Sequence, residues 1–281
     1  MDQAEGQARA RISRKKSGKK KPLVTVVIPT YNRAKFIKRG IKSILRQTTG
    51  RWRLLILDDG STDKTAKVVK PFLKDPRIRY VRRKKNRGVS ATLKRALSMV
   101  KTKYFSQLDA DDWYESRTLA TCLKKMRKSS RKVAVVYGNE KVWKLKKGKL
   151  RYKGTKVKRQ IRGKYDFITF HPMIYPRFYR TKALRSVGGW STKVPQGGRF
   201  AEDRQILLKL AGRYKFKATH KALYNRLRHK DNNSRIQNRK KYAKVTRYLY
   251  KTALKRWGNR YKAKFVWKKG RLKVGRIVRR R

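Results

Sequence analysis

Acidic residues are what this chain has least of. Fifteen Asp and Glu stand against 85 Lys and Arg in 281 residues, a formal net charge of +70. Cysteine is nearly absent as well. The single thiol, Cys122, excludes an intrachain disulfide framework and a cysteine-based zinc site, and it fits a reducing compartment. No apolar run approaches the roughly 20 residues of a membrane span. The basic N-terminus is not followed by the apolar stretch of a signal peptide. These absences predict a cytoplasmic protein without a transmembrane segment, with peripheral association to an anionic surface or polymer.

Apolar and aromatic residues are not lacking. Fifteen Tyr, 9 Phe and 6 Trp argue against disorder, and a chain of this length can bury a real core. The positive charge implies contact with polyanions, either nucleic acid or an anionic polymer. It is spread along the chain rather than gathered in one patch, which slightly favours the alternative of a cellular environment that selects basic surfaces on every protein.

Scarce acids make their clustering informative. Nine of the 15 fall in three groups: Asp58, Asp59 and Asp63; Asp109, Asp111, Asp112 and Glu115; Glu202 and Asp203. Like charges packed together repel, whereas a bound divalent cation turns that repulsion into attraction. Asp109 and Asp111 are spaced to point to one side of a strand end. That is an arrangement for Mg2+ or Mn2+ shared with substrate phosphates. The alternative is a polar turn followed by a helix cap.

In chain order, residues 1–21 read as a disordered basic arm. Leu23 to Ile28 and Trp52 to Leu57 are apolar runs of the kind found in strands buried on both faces. Ala34 to Gln47 has helical spacing at Phe36, Ile37, Ile41, Ile44 and Leu45. Ser61 or Thr62 is placed to cap the helix that carries Val68, Val69, Phe72 and Leu73. Ile78 to Val81 and Tyr104 to Leu108 are further strands, with a helix between them running to about Val100. The alternation predicts an α/β fold with a mostly parallel central sheet flanked by helices. Ligands in such sheets lie beyond the carboxyl ends of the strands, which here carry Thr30-Tyr31, Asp58-Asp59 and Asp109-Asp111. Later come a helix at about Ser116 to Lys128, a strand at Val133 to Tyr137 and an exposed hairpin around Lys147-Gly148. Glu202-Asp203 opens a helix through Leu210, and Tyr214 to Thr219 is a last strand. From Lys240 onward the reading is one basic helix and a tail.

The runs Val24-Thr25-Val26-Val27-Ile28-Pro29-Thr30-Tyr31-Asn32, Leu57-Asp58-Asp59-Gly60-Ser61-Thr62-Asp63 and Leu108-Asp109-Ala110-Asp111-Asp112 closely resemble family-2 glycosyltransferases of the GT-A fold. Val187-Gly188-Gly189-Trp190 and Ala201-Glu202-Asp203 resemble the acceptor half of the same family. The resemblance implies a Rossmann-like nucleotide-diphospho-sugar transferase. Residues 22–235 would form the catalytic domain, with a nucleotide-binding half at 22–138 and an acceptor half at 139–235, ahead of a basic C-terminal region at 236–281.

It further implies an inverting, metal-dependent enzyme that moves a sugar from a nucleotide-diphosphate donor, by expectation a UDP-sugar, to a hydroxyl of a glycan or other acceptor. Pro29, Thr30 and Tyr31 would frame the nucleoside, Asp59 would accept from the base, and Asn86 would lie near the diphosphate. Asp109 would sit by the ribose and metal, and Asp111 would bind the divalent cation. Asp203 would be the base, with Glu202, Gly189 and Trp190 around the acceptor. His229 resembles the histidine of a late loop that folds onto the metal in some members.

For Glu202-Asp203 the alternative is favourable charge at a helix N-terminus, about 0.3–1 kcal/mol. For Asp58-Asp59-Gly60 it is a turn. The competing function is a nucleic-acid-associated protein that keeps the fold and has lost catalysis. Such a protein would gain nothing from three acidic clusters at one crevice.

Overall fold

A computed structural model describes residues 21–229, 238–268 and 270–280. The expected N-terminal arm, apart from Lys21, lies outside the described residues, as does most of the loop that follows His229. The elements are β1 (Val24–Thr30), α1 (Ala34–Leu45), β2 (Trp52–Asp58), α2 (Thr65–Val69), β3 (Ile78–Arg82), α3 (Val89–Met99), β4 (Tyr104–Gln107), β5 (Trp113–Tyr114) and α4 (Thr118–Arg127). There follow β6 (Val133–Lys146), β7 (Lys149–Lys156), α5 (Lys164–Thr169), β8 (Tyr175–Arg180), α6 (Thr181–Ser186), α7 (Glu202–Ala211), β9 (Lys215–Arg228), α8 (Arg239–Arg256), β10 (Tyr261–Lys268) and β11 (Arg271–Arg279).

One sheet runs β3-β2-β1-β4-β8-β6-β9-β5, with β7 paired to β6. The first four strands of that order are parallel, as the strand–helix alternation predicts. Beyond them the sheet is mixed. β8 runs antiparallel to both β4 and β6, and β6 and β9 are again parallel. β1 lies between β2 and β4, so the chain winds outward in both directions from the β1/β4 gap. That gap is the topological switch point where such sheets bind ligands.

Strand periodicity explains the long apolar runs. Val24, Val26 and Ile28 of β1, with Leu54 and Ile56 of β2, enter a core shared with α1, α2 and α4. Val27, Leu55 and Leu57 point the other way, into a core shared with α3, α5, α6, α7 and α8. Successive side chains alternate between faces, so both registers must be apolar. Each such burial stabilises by roughly 1.5–3 kcal/mol.

Four elements differ from the expectation. The strand at Val133 extends to Lys146 and forms the hairpin with β7, and the strand expected at Tyr214 to Thr219 extends to Arg228. Neither Ser61 nor Thr62 caps α2. Asp63 does that work, accepting from the Thr65 amide at 2.9 Å and also from the Ala34 amide of α1 at 3.0 Å. The basic tail is an antiparallel hairpin, β10–β11, whose inner residues Leu272 and Val274 are buried beside α8. None of the described helices is long and apolar enough to cross a membrane.

Trp257, at the end of α8, is 8 % exposed and covers Gly212, the residue that closes α7. A Cβ on Gly212 would stand 2.4 Å from Trp257 Nε1. Gly212 has ordinary helical dihedrals, where alanine normally stabilises by about 0.4–1 kcal/mol. Gly212→Ala should instead cost about 1–3 kcal/mol through overpacking and shift tryptophan emission to the red. Urea unfolding and fluorescence check this. A variant as stable as the parent would mean that Trp257 is not seated against α7.

Candidate active site

The carboxyl ends of β1, β2 and β4 converge, and each acid there has a separate environment. Asp58 ends β2 level with Thr30 of β1. It accepts from the Ser61 amide at 2.7 Å and from the Tyr80 hydroxyl, so it shapes the loop. Asp59 follows, with its side chain 5 % exposed. Its carboxylate accepts from the Gly88 amide at 2.7 Å and the Arg87 amide at 3.1 Å, and pairs with Arg83 at 3.4 Å. Asp59 therefore latches the 83–88 loop onto β2. Thr30 is buried, and its Oγ1 has no hydrogen-bond partner. Tyr31 beside it is 41 % exposed.

Beyond β4 the second cluster splits in three. Asp112 is buried and accepts from the Tyr224 hydroxyl and the Leu227 amide, both at 2.7 Å. It fastens β9 across the crevice. Burial, then its neighbours Asp111 and Asp109, push its carboxyl well above the usual range. Asp111 faces His229, with 2.9 Å between Oδ2 and Nε2. The imidazole also packs against Phe36, with ring centroids 4.2 Å apart and the planes tilted by 32°.

Asp109 is held by Arg177, a residue of β8 that the sequence reading does not single out. The Arg177 side chain is 1 % exposed. One of its terminal nitrogens donates to Asp109 and the other to Asp203 at 3.2 Å. Asp203 stands in the first turn of α7 and also accepts from the Arg204 amide at 2.6 Å. This one guanidinium thus joins the strand end of the first half to the helix start of the second. The aromatic wall behind it is Tyr175 stacked on Tyr224, with centroids 4.4 Å apart. Burial raises the Asp109 carboxyl, an effect opposed by Arg177 and reinforced by Asp111 and Asp203.

Glu202 lies beside Asp203. Burial first, and then the Asp203 charge, push its carboxyl up to about 8. That shift favours the protonated form near neutral pH.

The remaining expected residues divide. Asn86 Oδ1 accepts from Arg199 and from the Gly88 amide, which ties the 83–88 loop to the segment before α7. Pro29 is the penultimate residue of β1. Trp190 is fully buried and packs against Phe105 at 5.5 Å and Tyr179 at 6.2 Å, so it belongs to the core and not to the crevice. Gly189 takes φ of +58°, and a Cβ there would stand 2.7 Å from Leu97 Cδ2. Its carbonyl accepts from Lys209 Nζ. The Gly189-Trp190 pair thus docks the turn after α6 onto α3 and the core.

Among the described residues no three His, Cys, Asp or Glu side chains converge as a metal site. The set Asp109, Asp111 and His229 is divided, because Arg177 holds Asp109. Asp111 and His229 remain, and their separation suits a shared cation. Two ligands at right angles on an octahedral centre, each about 2.1 Å from it, stand about 3 Å apart. Mg2+ and Mn2+ commonly take one or two protein ligands and complete their shell with water and substrate phosphate.

Comparison with known proteins bears on the family and the fold. Residues 25–188 match the model of glycosyl transferase family 2. The chain belongs to that family. It is similar to a chondroitin synthase of Pasteurella multocida, 34 % identical over 216 residues, covering 76 % of this chain and 21 % of that protein. A chondroitin synthase of Escherichia coli is 31 % identical over 219 residues, covering 77 % of this chain and 30 % of that protein. The chain thus spans less than a third of these relatives. Two solved structures share its GT-A fold. One is Staphylococcus aureus TarS in complex with UDP-GlcNAc, at a TM-score of 0.65 and 18 % identity, covering 81 % of this chain and 65 % of that one. The other is a Pyrobaculum calidifontis mannosyltransferase in complex with GDP-Man and Mn2+, at 0.62 and 21 %, covering 84 % and 65 %. The α/β architecture read from the strand ends is therefore that of a glycosyltransferase domain.

Glu202 gives a pH signature. Its folded pKa lies above its ordinary 4.5, so the native chain keeps a proton that the unfolded chain has lost. The associated stability is complete below pH 4.5 and falls away as the pH rises to about 8. Glu202→Gln should flatten this decline in urea-unfolding experiments across that range. Parallel pH profiles for parent and variant would contradict the buried, protonated glutamate.

Proposed function

We propose that this domain transfers a sugar, with inversion, from a nucleoside-diphosphate donor such as a UDP-sugar to an acceptor hydroxyl, with a divalent cation as cofactor. The observation that carries the reading is the Arg177 bridge. It sets Asp203 opposite the strand ends where a diphosphate would lie, yet leaves its carboxylate 18 % exposed toward the crevice. The orphaned hydroxyl of Thr30 and the exposed ring of Tyr31 suit a nucleoside lying over the β1/β4 switch point. Asp59, with Arg83, lines the same end.

In the reaction the acceptor hydroxyl gives its proton to an Asp203 oxygen as its own oxygen bonds to the anomeric carbon. The bond from that carbon to the diphosphate breaks, and the leaving nucleoside diphosphate takes the electron pair. Attack from the face opposite the leaving group inverts the centre. Asp111 and His229 would hold the cation, which supplies Lewis-acid stabilisation of the diphosphate when bound. Glu202, protonated, can donate a hydrogen bond to the acceptor. Arg177 keeps Asp203 from drifting toward the core.

Asp203→Asn should leave UDP affinity in the presence of Mn2+ within about twofold of the parent. Turnover of a nucleotide-sugar should fall by about a hundredfold or more. Calorimetry and product analysis read the two separately. Loss of UDP binding would place Asp203 in the donor site. Undiminished turnover would assign the base elsewhere.

A further inference from the structure

A second concavity lies between α8 and the β10–β11 hairpin, in the part of the chain beyond the residues matched by the family model. Its volume is about 120 Å³, and Arg239, Tyr242, Thr246 and Arg271 line it. Whole-ligand clefts run to about 300–1,000 Å³, so this space fits one group of a larger molecule. It adjoins the catalytic side of the protein. The Tyr242 ring packs against Phe200 at 5.0 Å, and Phe200 is separated from Glu202 only by Ala201. The negative charge of Asp203 and the positive charge of Arg271 both act on the Tyr242 hydroxyl.

We propose that this concavity is an acceptor subsite for a carboxylate-bearing sugar residue. The inference rests on the transferase reading above and deepens it. Arg239 and Arg271 are exposed on its rim, and no described acid forms an ion pair with either. No Asp or Glu follows Asp231 in the sequence. Two guanidinium forks facing one small space repel each other in the free protein and match a planar carboxylate. The half-buried Tyr242 ring between them offers an apolar face to a pyranose. Gly270 makes this approach feasible, because a Cβ there would stand 2.6 Å from the Arg239 guanidinium carbon. A growing anionic glycan anchored here would run past Phe200 toward Asp203.

The test is titration of tetragalacturonate and of neutral maltotetraose into the full chain at physiological salt. Three proteins are compared: the parent, Arg239→Ala/Arg271→Ala, and the control Arg117→Ala/Arg127→Ala. The control removes the same charge from exposed positions at the two ends of α4, its N-cap Arg117 and its last residue Arg127, and α4 packs on the opposite face of the sheet. The parent should bind tetragalacturonate more tightly than maltotetraose. The pocket variant should lose about tenfold or more of that affinity, equivalent to about 1.4 kcal/mol, and the control less than about twofold. Equal losses in both variants would reduce the effect to bulk charge and overturn the subsite, as would no preference for the anionic sugar. A single-stranded oligonucleotide that binds the pocket more tightly than tetragalacturonate would also overturn it. UDP with Mn2+ is titrated into the same proteins. Loss in the pocket variant would assign the concavity to the donor and overturn the proposal, whereas failure of the parent to bind would strike the transferase reading instead.

Discussion

Arg177 is the constraint on which the site depends. A guanidinium at 1 % exposure is tolerable only with its charge matched, and removing a partner from a buried pair costs about 3–5 kcal/mol. Asp109 and Asp203 supply that match. They come from the two halves of the domain, so the ion triad sets their relative position as well as their charge. The benefit is mutual, since the two carboxylates would otherwise repel across the crevice. β8, which carries Arg177, is the strand that reverses direction between β4 and β6. The mixed sheet is thus the geometric condition for the triad.

Most acids in the three clusters have a specific partner in a strongly cationic protein. Asp63 serves two helix starts, Asp58 and Asp59 shape loops, and Asp112 anchors β9. Asp203 with Arg177, and Asp111 with His229, are the pairs to which the proposed chemistry is assigned, with Glu202 beside Asp203. The charge surplus outside this crevice sits on exposed surfaces, and the C-terminal helix and hairpin concentrate it without any acid of their own. These elements do not merely decorate the domain. Phe200 and Tyr242 connect them to the segment that leads into α7.

The strand ends were legible because their physics is local. Continuous apolar runs ending in Pro29-Thr30-Tyr31 and Asp58-Asp59 mark strands buried on two faces, with polar loops at one end. β8 was not legible. Tyr-Pro-Arg-Phe-Tyr-Arg looks like loop sequence, yet Arg177 is neutralised by distant acids. Arg180 is satisfied by the carbonyls of Val133, Met126 and Ser129. No window of sequence contains those partners. β10 hid differently, its alternation of Lys262, Lys264 and apolar residues being a strand pattern masked by charge. Trp190 follows the paired glycines of an acceptor-like motif, and only the packing shows it turned into the core. The pairing of Asp111 with His229 spans 118 positions. The family resemblance suggested it, and residue spacing could not have done so.

The central claim is that Asp111 and His229 form the cation end of a donor site whose far wall is the Arg177–Asp203 pair. Diffraction from crystals soaked in UDP and Mn2+, recorded at the manganese edge, tests it most directly. The account predicts one anomalous peak bonded to Asp111 and His229 and touching the diphosphate, with Arg177 still joining Asp109 to Asp203. Manganese bound away from both ligands, or a diphosphate on the other side of the Arg177 bridge, would contradict it.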